Sequence, residues 1–305
     1  MRIRLILALL LLPACIYAQE RFPVRGRIVD EKGEAVEYVH VGIPRLGIGT
    51  VSTVDGLFEI EVPADTLEFH HVSYQTGYYP VSAPDNDLVI VLKESELPPA
   101  VFIGGDTKEK YLLRPGTRFV GAQGGFNARD GIDKGKEVGS VAKARKPFLI
   151  KDILFTVTSN RIPGCVISIN IYRIEGEPKE FINILHRPIY VDVAFSDGRQ
   201  DFDIQPEESI LLEPGSYFIS FSLVDCDMDA VRRFQETPES ERNPTDMELY
   251  TNIYFKSSYY RESSLAGLEY IPVNIGISVK GLEYQCSPSL RLQRRVRLAD
   301  GSDQR

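Results

Sequence analysis

The sequence predicts an all-β protein built of two β-sandwiches, and three observations lead to that fold class. Short segments in which apolar and polar residues alternate recur along most of the chain. Turn-forming residues separate these segments, with 24 glycines and 19 prolines among 305 residues. The 15 tyrosines and 15 phenylalanines favour strands over helices. A chain of this length suits about two domains of roughly 150 residues each.

The N-terminal residues have the pattern of an export signal. Arg2 and Arg4 precede an apolar run, residues 5–12, that is too short to span a bilayer. Ala18 supplies the small residue before the cleavage point. Residues 1–18 are therefore a predicted signal peptide, and we expect no transmembrane segment after its removal.

A second processing route involves Cys15, because Leu12-Pro13-Ala14-Cys15 resembles a bacterial lipobox. Lipidation at Cys15 would anchor the chain without changing its fold. Cleavage after Ala18 is favoured, since proline is a poor residue at that place in a lipobox. Either route predicts an exported protein that is periplasmic, associated with the outer membrane, or extracellular.

Net charge and cysteine count limit the classes of partner and the disulfides that this chain can have. A net charge of −8 argues against a nucleic-acid role, for which a clustered basic face is expected. Three cysteines, Cys165, Cys226 and Cys286, remain beyond the signal peptide. An oxidising compartment permits one disulfide among them, and the sequence leaves its pairing open.

Residues 19–96 are predicted to form a small sandwich of about seven strands. Asp55-Gly56 lies between two extended runs and predicts a tight hairpin, because glycine accepts a positive φ. The strands are expected at Val24–Val29, Tyr38–Ile43, Gly49–Val54, Phe58–Val62, Thr66–His71, Tyr74–Val81 and Leu88–Leu92.

The order of motifs in this segment carries a family resemblance. The motifs are Val24-x-Gly26-x-Ile28-x-Asp30-x-x-Gly33, Gly49-Thr50, Asp55-Gly56-x-Phe58, Asp65-x-Leu67-x-Phe69 and Ser73-Tyr74. Residues 22–93 thereby resemble the carboxypeptidase-regulatory-like domain of Bacteroidetes-type exported proteins, a transthyretin-like sandwich. The resemblance implies a rigid accessory or docking module at the cell envelope.

The remaining chain divides into a connector, a second sandwich and a tail. Residues 97–146 lose the alternation and are predicted to form a glycine-rich connector. Strong alternation predicts an antiparallel, jelly-roll-like sandwich over residues 147–290. On its strand 215–223, Ser216, Ser220 and Ser222 are expected to face water. Residues 227–248 are predicted to be an acidic surface insertion with one helical turn, and residues 291–305 a basic tail.

No motif predicts catalysis or a cofactor. The name of the resembled family suggests a carboxypeptidase, yet none of the four histidines is followed by glutamate at the third position, the spacing of a zinc hydrolase. Ser140-Val141-Ala142-Lys143 matches Ser-x-x-Lys, but the Lys-Thr-Gly that accompanies that motif is absent. We therefore predict a protein that is not an enzyme. The four histidines are His40, His70, His71 and His186.

Two segments are candidate ligand sites. The first has the spacing of a calcium loop, although Ala230 replaces the glycine that the turn requires. Its candidate ligands are Asp225, Asp227, Asp229 and Glu236. The second is an aromatic patch formed by Tyr254, Tyr259 and Tyr260. The sequence thus predicts an envelope protein that docks a protein or glycan through β-sandwich surfaces. A glycan-binding or hydrolytic protein with its site on the second sandwich is the alternative.

Overall fold

The computed structural model describes residues 20–96, 106–129 and 133–285. The predicted signal peptide, Cys15, Cys286 and the basic tail lie outside these residues. The described chain is predominantly β, as predicted, with one α-helix, α1 (Met228–Glu236). No helix in the described ranges is long and apolar enough to cross a membrane.

The N-terminal sandwich contains seven strands, which confirms the predicted number. One sheet has the order β4-β1-β7 and the other the order β3-β2-β5-β6. Alternate residues such as Val24, Ile28 and Leu67 point between the sheets and are fully buried. The strands are β1 (Phe22–Asp30), β2 (His40–Ile43), β3 (Ile48–Val51), β4 (Leu57–Val62), β5 (Asp65–His70), β6 (Gly77–Val81) and β7 (Asp85–Leu92).

The predicted hairpin at Asp55-Gly56 is wrong in its pairing. The tight turn is present, because Gly56 N–H donates to the Thr53 carbonyl at 2.9 Å and Gly56 has φ +73°. However, β3 and β4 belong to different sheets. The buried Ser52 hydroxyl accepts from Val39 N–H and holds the chain in the β3-β2-β5-β6 sheet until the turn. The segment therefore crosses between sheets.

The C-terminal sandwich has two antiparallel sheets. The front sheet has the order β13-β12-β17-β10-β19-β20 with β14 beside β12, and the back sheet has the order β21-β18-β11-β22-β8 with β9, β15 and β16. Its strands are β8 (Thr107–Leu113), β9 (Arg118–Asn127), β10 (Glu137–Ala144), β11 (Phe148–Asn160), β12 (Cys165–Glu175), β13 (Glu180–Asn183), β14 (Ile189–Val193), β15 (Gln200–Ile204), β16 (Leu211–Leu212), β17 (Gly215–Asp225), β18 (Glu248–Tyr254), β19 (Ser258–Arg261), β20 (Glu269–Ile271), β21 (Asn274–Ile275) and β22 (Ile277–Tyr284).

The core of this sandwich lies between the two sheets. Phe148 and Phe155 of the back sheet are buried in one cluster with Ile169, Ile219 and Phe221 of the front sheet. The alternation that predicted the sandwich therefore identified the inward faces of both sheets correctly.

The connector predicted for residues 97–146 is wrong over its described part. Three strands, β8, β9 and β10, lie there and pair with the C-terminal sandwich. The glycines that suggested loops instead allow close strand approach. A Cβ on Gly125 would lie 1.8 Å from the Leu249 carbonyl oxygen, and one on Gly139 would lie 2.2 Å from that of Ile219. The second sandwich begins near Thr107.

Ser220 and Ser222 were expected to face water and are instead buried, at 0% and 1% exposure. Part of the outer side of the front sheet is covered by the N-terminal sandwich. Tyr38, Val51 and Val224 form one buried cluster across the two domains. The alternation correctly distinguished the polar side of β17 from its apolar side. It did not indicate that the polar side is buried as well.

Glycine again permits the close approach of the two domains. Gly49 lies so near the β19–β20 loop that an added Cβ would be 1.9 Å from the Ser264 carbonyl oxygen. In the same contact the Ser263 hydroxyl donates to the Gly47 carbonyl at 2.7 Å. The Tyr38 and Tyr190 rings meet edge to face, with centroids 4.7 Å apart.

Gly49→Ala should lower stability by about 1–3 kcal/mol, because the added methyl group must displace the backbone at Ser264. Urea denaturation of the variant measures this loss. Gly267→Ala is the matched control, since nothing lies within 4 Å of the Cβ position there. Equal urea midpoints for the two variants would contradict the close interdomain contact.

Candidate functional site

A cavity lies between the N-terminal sandwich and the front sheet. Its volume is about 560 Å³, within the range of sites for small molecules. One wall comes from β2, β5 and the loop after β5, and the other from β12, the β13–β14 region and β19. We call it the interdomain cavity.

The floor of the interdomain cavity is a polar row across four neighbouring strands. The register places Ser168 of β12 opposite Ser222 of β17, then Glu137 of β10, then Arg261 of β19. Side chains at directly paired positions share one face of a sheet. This row is therefore built by strand pairing between residues that are far apart in sequence.

Glu137 is the most enclosed charge of this floor, at 2% exposure. Its Oε1 accepts from the Ser220 hydroxyl at 2.6 Å and from Asn170 Nδ2 at 3.1 Å. Its Oε2 accepts from Tyr172 OH at 3.3 Å and lies 2.8 Å from Arg261 Nε in an ion pair. A buried carboxylate requires such partners, because its desolvation is otherwise costly.

The groups around Glu137 present polar atoms to the cavity. Burial and the neighbouring Glu137 carboxylate raise the pKa of Tyr172, so its hydroxyl stays protonated and donates. Asn183 Nδ2 donates to Asn170 Oδ1 at 3.2 Å, which fixes both amides. Asn170, Tyr172, Asn183 and Arg261 all line the cavity.

Three histidines of the N-terminal sandwich form the opposite wall. His40 and His70 are paired across β2 and β5, and His71 follows β5 directly. His40 Nδ1 lies 2.8 Å from the Ser264 hydroxyl oxygen, and His70 Nε2 lies 2.8 Å from Glu68 Oε2. The cavity thus brings together side chains from both domains.

His71 is held as a neutral imidazole. Its Nδ1 accepts from Ser73 N–H at 3.2 Å, so the ring proton lies on Nε2, which donates to Tyr190 OH at 3.2 Å. Burial lowers the pKa of His71 to about 4. Burial, with the charges of Arg261, His71 and His70, lowers the pKa of His40 to about 3.

Two residues of unusual backbone conformation also line this cavity. Tyr38 has φ +51° and Leu265 has φ +60°, the left-handed region that favours glycine. Strain of this kind costs on the order of 1–3 kcal/mol and often marks functional sites. Both residues lie where the two domains meet at the cavity edge.

The structure does not assemble the predicted calcium loop. Asp227 caps α1 by accepting from Asp229 N–H and Ala230 N–H. Asp225 pairs with Lys134 at 2.9 Å, and Asp229 pairs with Arg232. Glu236 lies at the far end of α1, whose presence confirms the predicted helical turn. Asp227 is used in this way because a helix N-terminus requires hydrogen-bond acceptors, and the other two aspartates form ion pairs.

The predicted aromatic patch is also divided. Tyr254 belongs to β18 of the back sheet, whereas Tyr259 and Tyr260 belong to β19 of the front sheet. Tyr254 lines a smaller cavity of about 280 Å³. Lys179 Nζ donates to Tyr259 OH at 2.6 Å, and Tyr260 OH donates to Glu269 Oε2 at 3.3 Å.

The histidines and the Ser-x-x-Lys motif also have definite positions. His40, His70 and His71 line the interdomain cavity, whereas His186 lies outside it. Within the described ranges, no three His, Cys, Asp or Glu side chains are placed to hold a metal ion. Ser140 lies on β10 and donates to the Ile275 carbonyl at 2.7 Å, so the motif does not open a helix. Cys165 and Cys226 are free thiols buried in the core.

Sequence reasoning missed Glu137, Asn170, Tyr172, Asn183 and Arg261 as site residues. The available signal was the row of serines on the outward side of β17, which the alternation predicted to face water. Their convergence depends on strand order, which alternation within one strand does not report.

Comparisons with known proteins give little further information. No family model and no curated protein matches the chain. It resembles a DUF3823 family protein from Parabacteroides merdae, with 10% identity, a TM-score of 0.20, and coverage of 84% of this chain and 98% of that one. A DUF3823 family protein from Bacteroides ovatus gives 10% identity, a TM-score of 0.19, and coverage of 66% and 95%.

A chain from the T13 particle of infectious bursal disease virus is similar at 11% identity, with a TM-score of 0.25 and coverage of 90% and 60%. TM-scores this low carry no argument about function. The resemblance of residues 22–93 to the carboxypeptidase-regulatory-like domain therefore stays a prediction.

Acid should loosen the contact between the domains. His40 and His71 have pKa values below the ordinary 6.5, so they stay neutral in the fold and become charged in the unfolded chain. Their contribution to stability is fully present above pH 6.5 and is lost as pH falls. Between pH 6.5 and 5 we expect a loss of roughly 1 kcal/mol per pH unit for each histidine.

Urea midpoints measured from pH 7 to pH 5 report this loss. His71→Asn keeps an acceptor near Ser73 N–H but does not titrate, so its midpoint should fall less steeply. A midpoint independent of pH, or an equal slope in the variant, would contradict the assignment.

Proposed function

We propose that this chain is an exported, non-enzymatic binding protein that takes a glycan unit into the interdomain cavity. The observation that carries the proposal is the composition of the cavity wall. Its polar groups include the amides of Asn170 and Asn183, the imidazoles and the phenols, each of which donates or accepts hydrogen bonds, and Glu68 and Arg261 add one charge of each sign. A polyhydroxylated ligand needs this mixture, because every sugar hydroxyl both donates and accepts.

The apolar part of the wall fits the same class of ligand. Phe181, Ile169 and Leu185 line the cavity beside the polar groups. Binding sites of this size combine apolar walls with a few fixed polar groups that set orientation. The hydrogen bonds among Asn170, Asn183 and Glu137 hold the floor in place before a ligand enters, which reduces the ordering cost of binding.

The geometry favours binding over hydrolysis. Glycoside hydrolysis generally uses two carboxyl groups on either side of the scissile bond. Glu68 is the one carboxylate among the described residues that line the cavity, and His70 is bonded to it. Glu137, the enclosed charge of the floor, has both oxygens occupied by protein groups. These contacts support a binding site.

His70→Ala should weaken glycan binding by about threefold to tenfold, the loss expected for one hydrogen bond. The measurement is calorimetric titration of the full chain with oligosaccharides that a glycan array has first identified. His186→Ala is the matched control, because His186 lies outside the cavity. Absence of any glycan ligand, or equal weakening by both variants, would contradict the proposal.

Protein docking through a sheet edge is the second candidate, and the exposure of β7 favours it. This strand ends the β4-β1-β7 sheet, so within the described part of the chain one side of its backbone has no neighbouring strand. Val89 and Val91 on it are 62% and 59% exposed. Such an edge accepts an extended segment of a partner through main-chain hydrogen bonds.

Val91→Lys should reduce recovery of an envelope protein in a pull-down by about tenfold, because a lysine on an edge strand opposes strand addition. Leu57→Lys is the matched control, since Leu57 is 51% exposed on the opposite edge strand. Recovery of the same protein at equal yield by both variants would contradict docking at β7.

A further inference from the structure

We propose that the glycan bound in the interdomain cavity is acidic, and that its carboxylate is bound by the free edge of the Arg261 guanidinium. This inference rests on the proposed function, because it names the class of sugar that the same cavity would hold. Three features of Arg261 support it: its fixed orientation, its unpaired donors and the charges around it.

Arg261 is held in one orientation from two directions. Its Nε lies 2.8 Å from Glu137 Oε2, and its guanidinium carbon lies 5.6 Å from the centre of the Tyr172 ring. Glu137 is itself fixed by the Ser220 hydroxyl and by Asn170. An arginine fixed in this way loses little freedom on binding a planar anion.

The outer edge of this guanidinium has donors to spare. Nη1 and Nη2 form no hydrogen bond to any described residue, and the only charged partner of Arg261 there is Glu137. The side chain is 14% exposed and lines the cavity. Four N–H groups are therefore available at a buried site, and a carboxylate pairs with two of them side by side.

The charges around Arg261 favour an added anion. Glu137 accepts hydrogen bonds from three other side chains, which spreads its charge away from the guanidinium. The one carboxylate of the cavity wall, Glu68, already has His70 as its partner. On the opposite wall, His40 lies near enough to Arg261 for that charge to lower the pKa of the imidazole.

The neutral groups of the cavity would bind the uncharged part of the ligand. Asn170, Asn183 and Tyr190 bond hydroxyl groups, whereas Arg261 is the single residue there that is always cationic. A uronic acid unit combines the two chemistries, because it carries one carboxylate on a ring of hydroxyl groups. A neutral hexose would leave the guanidinium edge unpaired in a buried site.

The test compares three forms of one sugar on the wild-type full chain by calorimetric titration. The probes are methyl galacturonoside, its methyl ester and methyl galactoside, with the corresponding glucuronic series in parallel. The acid should bind about tenfold to hundredfold more tightly than its ester, the gain expected for a charge-assisted pair. Raising the salt concentration should reduce that preference only slightly, because the pair is buried.

Glu137→Gln/Arg261→Gln is the second reagent, and it removes both charges together so that neither is left unpaired. The ratio of acid to ester affinity should fall to about one in this double variant. Its thermal unfolding is measured beside the wild type to establish that the cavity still forms. A preference that persists in a folded double variant would overturn the role of Arg261.

The outcomes separate this inference from the proposed function. If ester and hexoside bind as tightly as the acid, the acidic class is wrong and the glycan-binding proposal stands. If no sugar of either series or of the glycan array binds, both fall. If a tripeptide with a free C-terminal carboxylate binds in place of every uronate, the carboxylate site remains but its assignment to a sugar is overturned.

Discussion

The ion pair between Glu137 and Arg261 is the interaction on which the centre of this molecule depends. It lies where the N-terminal sandwich covers the front sheet, so both charges are largely withdrawn from water. Hydrogen bonds from the neighbouring strands β12 and β17 satisfy the carboxylate. Without them the cover of a polar sheet face by a second domain would be strongly unfavourable.

The same constraint explains why a cavity exists at this contact. Close packing of the domains occurs at an apolar cluster around Val224 and at the Gly49 contact with Ser264. Between these points both walls carry polar side chains that cannot interlock as an apolar core does. Histidines on one wall and amides on the other remain separated by the interdomain cavity.

Alternation in the sequence was informative about the faces of single strands. It placed the buried side of β12 and β17 correctly, and the glycines and prolines marked several true turns. It failed where glycine served close approach, as at Gly125 and Gly139, because strand and loop glycines look alike in sequence. It also failed for Ser220 and Ser222, because a strand has the same alternating pattern whether its polar face contacts water or other protein groups.

The sequence by itself determined an all-β chain with a seven-stranded N-terminal sandwich and a second antiparallel sandwich, since side-chain alternation reports which residues leave water. Only the tertiary structure decided that the two sandwiches pack together and that Glu137, Asn170 and Arg261 meet His40 across a cavity. The physical reason is that pairing between distant strands sets these neighbours. The alternation within one strand does not report which strands are neighbours or which sheet faces pack together.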